Sequence, residues 1–226
     1  MRVEAIEVHE IEIPLVTPFR TVHGVESVRR VALVRVDTGG GAGWGEDPAL
    51  TEPGYDMEYQ AASVAALVEH LAPRVVGADL DDPAAVEARL AGVAGWSMAR
   101  HALTTAVLDA RLRASGRSLA AHLGGVRPVV TSRVVVGLHD SVADLVATVD
   151  GHLAEGYTAV KLKLAPGADL DRVQAVRAHV GDEVALAADA NGSYTVEDLD
   201  HLARLDRFGL DFLEQPLPSG DLLGHA

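Results

Sequence analysis

Short valine-rich runs and stretches of alternating apolar and polar residues fill the first fifty positions. Residues 2–13 (RVEAIEVHEIEI) keep a partial period of two, and residues 28–36 (VRRVALVRV) are dense in valine. Successive strand side chains point to opposite faces, so both stretches predict strands. Residues 42–46 follow a Gly39-Gly40-Gly41 turn and predict a third. The segment between the first two, residues 17–27 (TPFRTVHGVES), is polar and contains Gly24, which predicts a mobile loop. Helical spacing follows over residues 57–71 and over Pro83–Leu90, the second opened by Asp82 and by proline in its first turn. Residues 1–96 therefore predict an α+β unit, a small antiparallel sheet followed by helices.

Beyond residue 96 the pattern changes. Ser97–Ala114 predicts a helix that stops near Gly116. Apolar strands are then expected at residues 133–136, 159–164, 184–188 and 210–213, separated by helices at Val142–Ala154, 170–179 and 196–205. Alternating strand and helix imply a parallel sheet covered by its crossover helices. Gly137, Lys163, Asp189 and Glu214 close the four strands and recur about every 26 residues, near the about 30 that a (β/α)8 barrel uses per unit. A doubly wound sheet would carry a glycine-rich phosphate turn after its first strand, and the GLHDSV found there is not one.

Composition narrows the partners. The chain has 226 residues, 48% of them hydrophobic, a net charge of -14 and no cysteine. Disulfides, thiolate metal sites and a cysteine nucleophile are excluded. An acidic surface repels nucleic acid and anionic membranes, so neither is expected as a partner. The opening MRVEAIEVHE is no signal peptide, and no apolar run reaches membrane-spanning length, so a cytoplasmic protein is expected.

The basic residues alter the picture most. Of 19, only Lys161 and Lys163 are lysine, and they stand two apart in one apolar strand; the others are arginine. Arginine stays charged in proteins, whereas a desolvated lysine can lose its proton. Residues two apart share a strand face, so both ammonium groups point together toward the barrel interior, while Val160, Leu162 and Leu164 face the helices. Barrel active sites lie at the C-terminal ends of strands, where Lys163, Asp189 and Glu214 fall. Two converging carboxylates without a histidine partner suit a hard ion, Mg2+ more than Zn2+, with Mn2+ able to take its place. A divalent cation beside a lysine suits proton abstraction next to a carboxylate. The competing reading is a structural ion-pair network of Lys161, Lys163, Asp189 and Glu214 that holds no metal. Other signals fail: His9-Glu10 begins HExxH but reaches Ile13, and no GxSxG or GK[ST] occurs.

Lys-x-Lys at 161–163, Asp-Ala-Asn at 189–191 and Glu-Gln-Pro at 214–216, on successive strands, resemble the enolase superfamily in its muconate-lactonizing subgroup. GRSLAAHLGG, GYTAVKLKLAPGADLDRVQAVR, ADANGSYT and DFLEQPLPSGDLLGHA are similar to o-succinylbenzoate synthases and N-acylamino acid racemases, and PFRTVHG and GWGED to their capping domain. The resemblance implies an α/β fold: an α+β capping domain at residues 1–96 with a lid loop at 17–27, then the first half of a (β/α)8-type barrel at residues 97–226. It implies Lys163 as the base, Lys161 as its tuning partner, Asp189 and Glu214 as metal ligands, and Asn191 as a polar support on the metal side. Phe19, Arg20, Thr21, His23 and Gly24 of the lid would close over a small carboxylate substrate. The reaction implied first is dehydration of a cyclohexadiene carboxylate to o-succinylbenzoate, a step toward menaquinone. The alternatives are N-acylamino acid racemisation and a non-catalytic half-barrel. Closing the barrel would take roughly 100 further residues, so a C-terminal half or a homo-oligomer is expected to complete it.

Overall fold

The computed structural model describes residues 1–80 and 82–226. They form two compact units, Met1–Val16 with Val28–Pro128, and Thr17–Ser27 with Val129–Ala226. Among the described residues no helix is long and apolar enough to cross a membrane.

The first unit is built on a three-stranded sheet of order β1 (Val3–Thr21), β2 (Gly24–Thr38) and β3 (Gly41–Asp47). β3 returns antiparallel along β2, with Thr38 opposite Gly41 and Ala32 opposite Asp47. The helical stretch expected at 57–71 is broken into α1 (Gln60–Ala66), a wide π turn at Leu67–Leu71, and α2 (Ala72–Val75). Pro73 explains the break: it lacks the N–H for the bond one turn back, and the wider turn before it absorbs the mismatch. α3 (Pro83–Leu90) begins as expected, with the Asp82 carboxylate accepting from Ala85 N at 2.8 Å. α4 (Ser97–Ala114) lays its small face (Ala102, Ala106 and Ala110) directly on Gly43 and Gly45 of β3, and α5 (Leu119–His122) follows. Val34, Val36, Leu67, Leu71, Val86, Leu90 and Leu103 fill the core between sheet and helices.

Two expectations change here. The loop at 17–27 is the end of a β-hairpin, β1 and β2 continuing to a two-residue turn at Val22-His23 with Gly24 at φ 128°. Thr17, Phe19, Thr21 and Val25 are strand formers, and so short a turn lets pairing run to the tip. The boundary drawn at residue 96 falls inside the first unit, because α4 packs on β3.

The second unit carries β4 (Val134–Val136), α6 (Val142–Ala154), β5 (Ala159–Lys163), α7 (Leu170–Val180), β6 (Ala185–Asp189), α8 (Leu199–Leu202) and β7 (Leu213–Glu214). The sheet order is β4-β5-β6-β7, all pairs parallel. Short 3-10 turns flank α8. The last strand lies further along than the 210–213 expected, although residues 211 and 212 already bond to β6 (Asp211 N to Leu186 O 2.8 Å, Ala188 N to Phe212 O 3.1 Å). Val160, Leu162 and Leu164 are buried with Val173 and Val176 of α7, Leu186 and Leu217. That orientation turns Lys161 and Lys163 to the other face of the sheet.

Candidate active site

Parallel register sets the site. Lys163 pairs with Asp189 across β5 and β6, and Asp189 pairs with Glu214 across β6 and β7, so the three strand ends form one row. Lys161 lies two residues before Lys163 on the same face, beside Ala187.

The side chains meet. Lys163 Nζ donates to Asp189 Oδ2 and to Asn191 Oδ1, both at 2.7 Å. Lys161 Nζ lies 3.0 Å from Glu214 Oε2 and 3.2 Å from Asp189 Oδ2. Asp189 Oδ1 accepts from Asn191 N at 3.0 Å. The Asp189 side chain is 2% exposed and Glu214 is 46% exposed, so the row runs from buried to open.

Electrostatics follow from these contacts. Burial alone would raise the Asp189 carboxyl, but the hydrogen bonds from Lys163 and Asn191, with the lysine charges, outweigh it and hold it below its ordinary range. Burial would likewise lower the Lys161 ammonium; its bonds to Glu214 and Asp189 win, and it is held above its ordinary value.

Of the residues expected to form a lid, Phe19 approaches this region within the second unit. The Phe19 ring lies 5.9 Å from Lys163 Nζ, at the limit of a cation–π contact. Arg20 turns instead to Asp140, with 2.5 Å between guanidinium and carboxylate, and its carbonyl accepts from Leu138 N at 2.9 Å. At the tip, Thr21 Oγ1 accepts from His23 N, and Gly24 makes the turn. Gly137 allows the hairpin this close: a Cβ there would stand 3.0 Å from Arg20 O and 3.3 Å from Arg20 N. In the sequence Gly137 marks only a strand end, and the one signal for Asp140 is an acidic residue just past that end.

Asp189 and Glu214 are oxygen donors on adjacent strand ends, and in kind they fit a hard divalent ion such as Mg2+ or Mn2+. They are two carboxylates, and among the described residues no group of three His, Cys, Asp or Glu is placed to hold a metal. The ammonium groups of Lys161 and Lys163 balance them in this structure.

Residues 3–124 match the mandelate racemase / muconate lactonizing enzyme N-terminal domain, and residues 144–226 match the enolase C-terminal domain-like family. The chain belongs to the enolase superfamily. Its N-terminal sheet and helices are the capping domain, and the parallel sheet is part of a (β/α)8-type barrel. Within the superfamily the chain is 46% identical to an N-succinylamino acid racemase of Amycolatopsis sp, over 100% of this chain and 61% of that protein. It is 35% identical to an o-succinylbenzoate synthase of Geobacillus kaustophilus, over 100% of this chain and 60% of that one. The crystal structure of an enolase superfamily member from Listeria innocua superposes with a TM-score of 0.93 at 31% identity, over 100% of this chain and 61% of that chain. The chain thus spans about three fifths of the length of the relatives it matches.

Proposed function

We propose that this chain supplies the base and two metal-ligating carboxylates of an enzyme that removes the proton α to a carboxylate, and that racemisation of an N-acylamino acid is its reaction. The row Lys163–Asp189–Glu214, with Lys161 behind it, carries the reading. The preference for racemisation over the dehydration implied first by the sequence is supported by the named racemase standing at 46% identity and the named synthase at 35%.

Lys163 would take the α-proton from one face of the substrate carbon. Asn191 Oδ1 orients its amine, and Asp189 keeps a charged acceptor beside it. Lys161 balances Glu214 and Asp189 and offers a cationic partner to a substrate carboxylate. The Phe19 ring, 5.9 Å from the amine, would limit water there. Asp189 and Glu214 would hold a divalent ion together with ligands from elsewhere; when bound, the ion supplies positive charge beside the carboxylate on which negative charge develops.

The test is α-proton exchange of an N-succinylamino acid in D2O with Mg2+, followed by proton NMR, alongside conversion of a cyclohexadiene carboxylate to o-succinylbenzoate followed by absorbance. Exchange by the protein and its loss in Lys163→Ala is the expected result. Exchange that survives Lys163→Ala removes the lysine from its role. Turnover of the cyclohexadiene carboxylate without amino-acid exchange favours the dehydration, and silence in both assays favours a non-catalytic half-barrel.

A further inference from the structure

We propose that the buried contact between Asp169 and the Tyr194 hydroxyl positions the Lys163–Asn191 pair. Both residues lie outside the row of charged strand ends. Asp169 closes the loop after β5 and caps α7, its Oδ1 accepting from Leu170 N at 2.5 Å. Its Oδ2 accepts from Tyr194 Oη at 2.7 Å and pairs with His201 Nε2 at 2.9 Å. Asp169 is 5% exposed and Tyr194 2% exposed.

Chain connectivity turns this contact into a device. The loop after β5 runs from Lys163 to Asp169, and the loop after β6 runs from Asn191 to Tyr194. The same two loops are therefore cross-linked twice, by Lys163 to Asn191 at 2.7 Å and by Tyr194 to Asp169 at 2.7 Å. Asn191 needs such support. It sits at φ 47°, in the left-handed region, a conformation that asparagine adopts more readily than most residues but that still persists best where the surroundings fix it. Gly192 N and Tyr194 N hold the loop from the β7 side, through Gln215 O at 2.7 Å and Pro216 O at 3.1 Å. The Tyr194 hydroxyl holds it from the β5 side. Burial and then the hydrogen bond to Asp169 push the Tyr194 hydroxyl far above its ordinary pKa, so it remains a donor; burial would raise the Asp169 carboxyl, but its three donors hold it below its ordinary range. A buried carboxylate that loses one of its donors has less to offset its desolvation, so the contact resists opening.

The inference rests on the proposed function only for what Lys163 does; the contact and its test need neither metal nor turnover. The chain has just two lysines, so lysine labelled at the ε-carbon gives two methylene signals, assigned with Lys161→Gln. A held ammonium shows inequivalent ε-protons. In Tyr194→Phe the Lys163 signal is expected to move and its ε-protons to become equivalent, with Lys161 moving less. Asp169→Asn keeps the side-chain shape and one carbonyl acceptor, and is expected to give a smaller change of the same kind; it decides the matter if Tyr194→Phe does not fold. Unmoved Lys163 signals in a folded variant, or equal movement of both lysines as in a general loosening, overturn the proposal. A protein that shows the lysine response but no α-proton exchange retains the positioning contact and loses the proposed reaction.

Discussion

Lys163→Met measures what the lysine does for the fold before it does any chemistry. In the folded chain its Nζ lies 2.7 Å from Asp189, whose side chain is 2% exposed. Removing one partner of a buried ion pair leaves the other uncompensated, at a cost of about 3–5 kcal/mol. Asp189 would keep Lys161 at 3.2 Å and the Asn191 N–H at 3.0 Å, which lowers the expectation to about 2 kcal/mol. With a urea slope of about 2 kcal/mol/M, the midpoint falls by about 1 M. The pH dependence has a defined sign. Asp189 is depressed in the folded state, so its contribution is present above the unfolded value near 3.8 and is lost as pH falls through the lower folded value. Without Lys163 its carboxyl rises, and the gap between wild type and variant narrows in acid. Far-UV circular dichroism follows both units, whereas Trp44 and Trp96 both lie in the first and report it alone by fluorescence. An unchanged dichroism midpoint at pH 7, or a gap that stays constant in acid, refutes the claim that Lys163 neutralises Asp189.

Two glycines give further checks. A Cβ on Gly45 would stand 1.9 Å from Ala102 O, so Gly45→Ala forces β3 and α4 apart and is expected to destabilise the first unit by about 3 kcal/mol, read from tryptophan fluorescence in urea; near-native stability contradicts the packing described. Gly137→Ala is expected to lift the hairpin from the loop after β4, with faster hydrogen exchange at Leu138 N, which donates to Arg20 O at 2.9 Å, and faster tryptic cleavage after Arg20; wild-type exchange there means Gly137 is not what admits the hairpin.

The parts of the site legible in the sequence were those that follow from a period of two. Once AVKLK is a strand of a parallel sheet, Lys161 and Lys163 must share a face, and regular unit spacing puts Lys163, Asp189 and Glu214 at successive strand ends. What escaped depends on contacts between distant positions. The 17–27 segment looks like a loop because its composition is polar, yet strand pairing, a non-local interaction, extends it to the turn. The allegiance of α4 is decided by two glycines that let a helix backbone approach a strand, and no periodicity of α4 alone reveals that. No motif or spacing links Asp169, Tyr194 and His201; only the fold brings Tyr194 and His201 onto the Asp169 carboxylate.

Charge counting connects the neutral ion-pair network to the proposed catalysis. Two ammonium groups face two carboxylates, so the row is balanced without a metal and each carboxylate already has a cationic partner. A divalent ion placed on Asp189 and Glu214 would raise the local charge by two and compete with Lys161 and Lys163 for the same oxygens. In a partly buried site that imbalance opposes binding. Weak Mg2+ binding by the 226-residue chain alone is therefore expected from calorimetry, and tight one-site binding would contradict it. A carboxylate substrate brings compensating negative charge to the same mouth, so it should tighten Mg2+ binding, and by reciprocity Mg2+ should tighten the substrate by the same factor. Calorimetric titration of Mg2+ with and without an N-succinylamino acid reads that factor directly. Identical Mg2+ affinities in the two titrations would mean that the row of charged groups does not sense the substrate, and that the ion-pair network is structural after all.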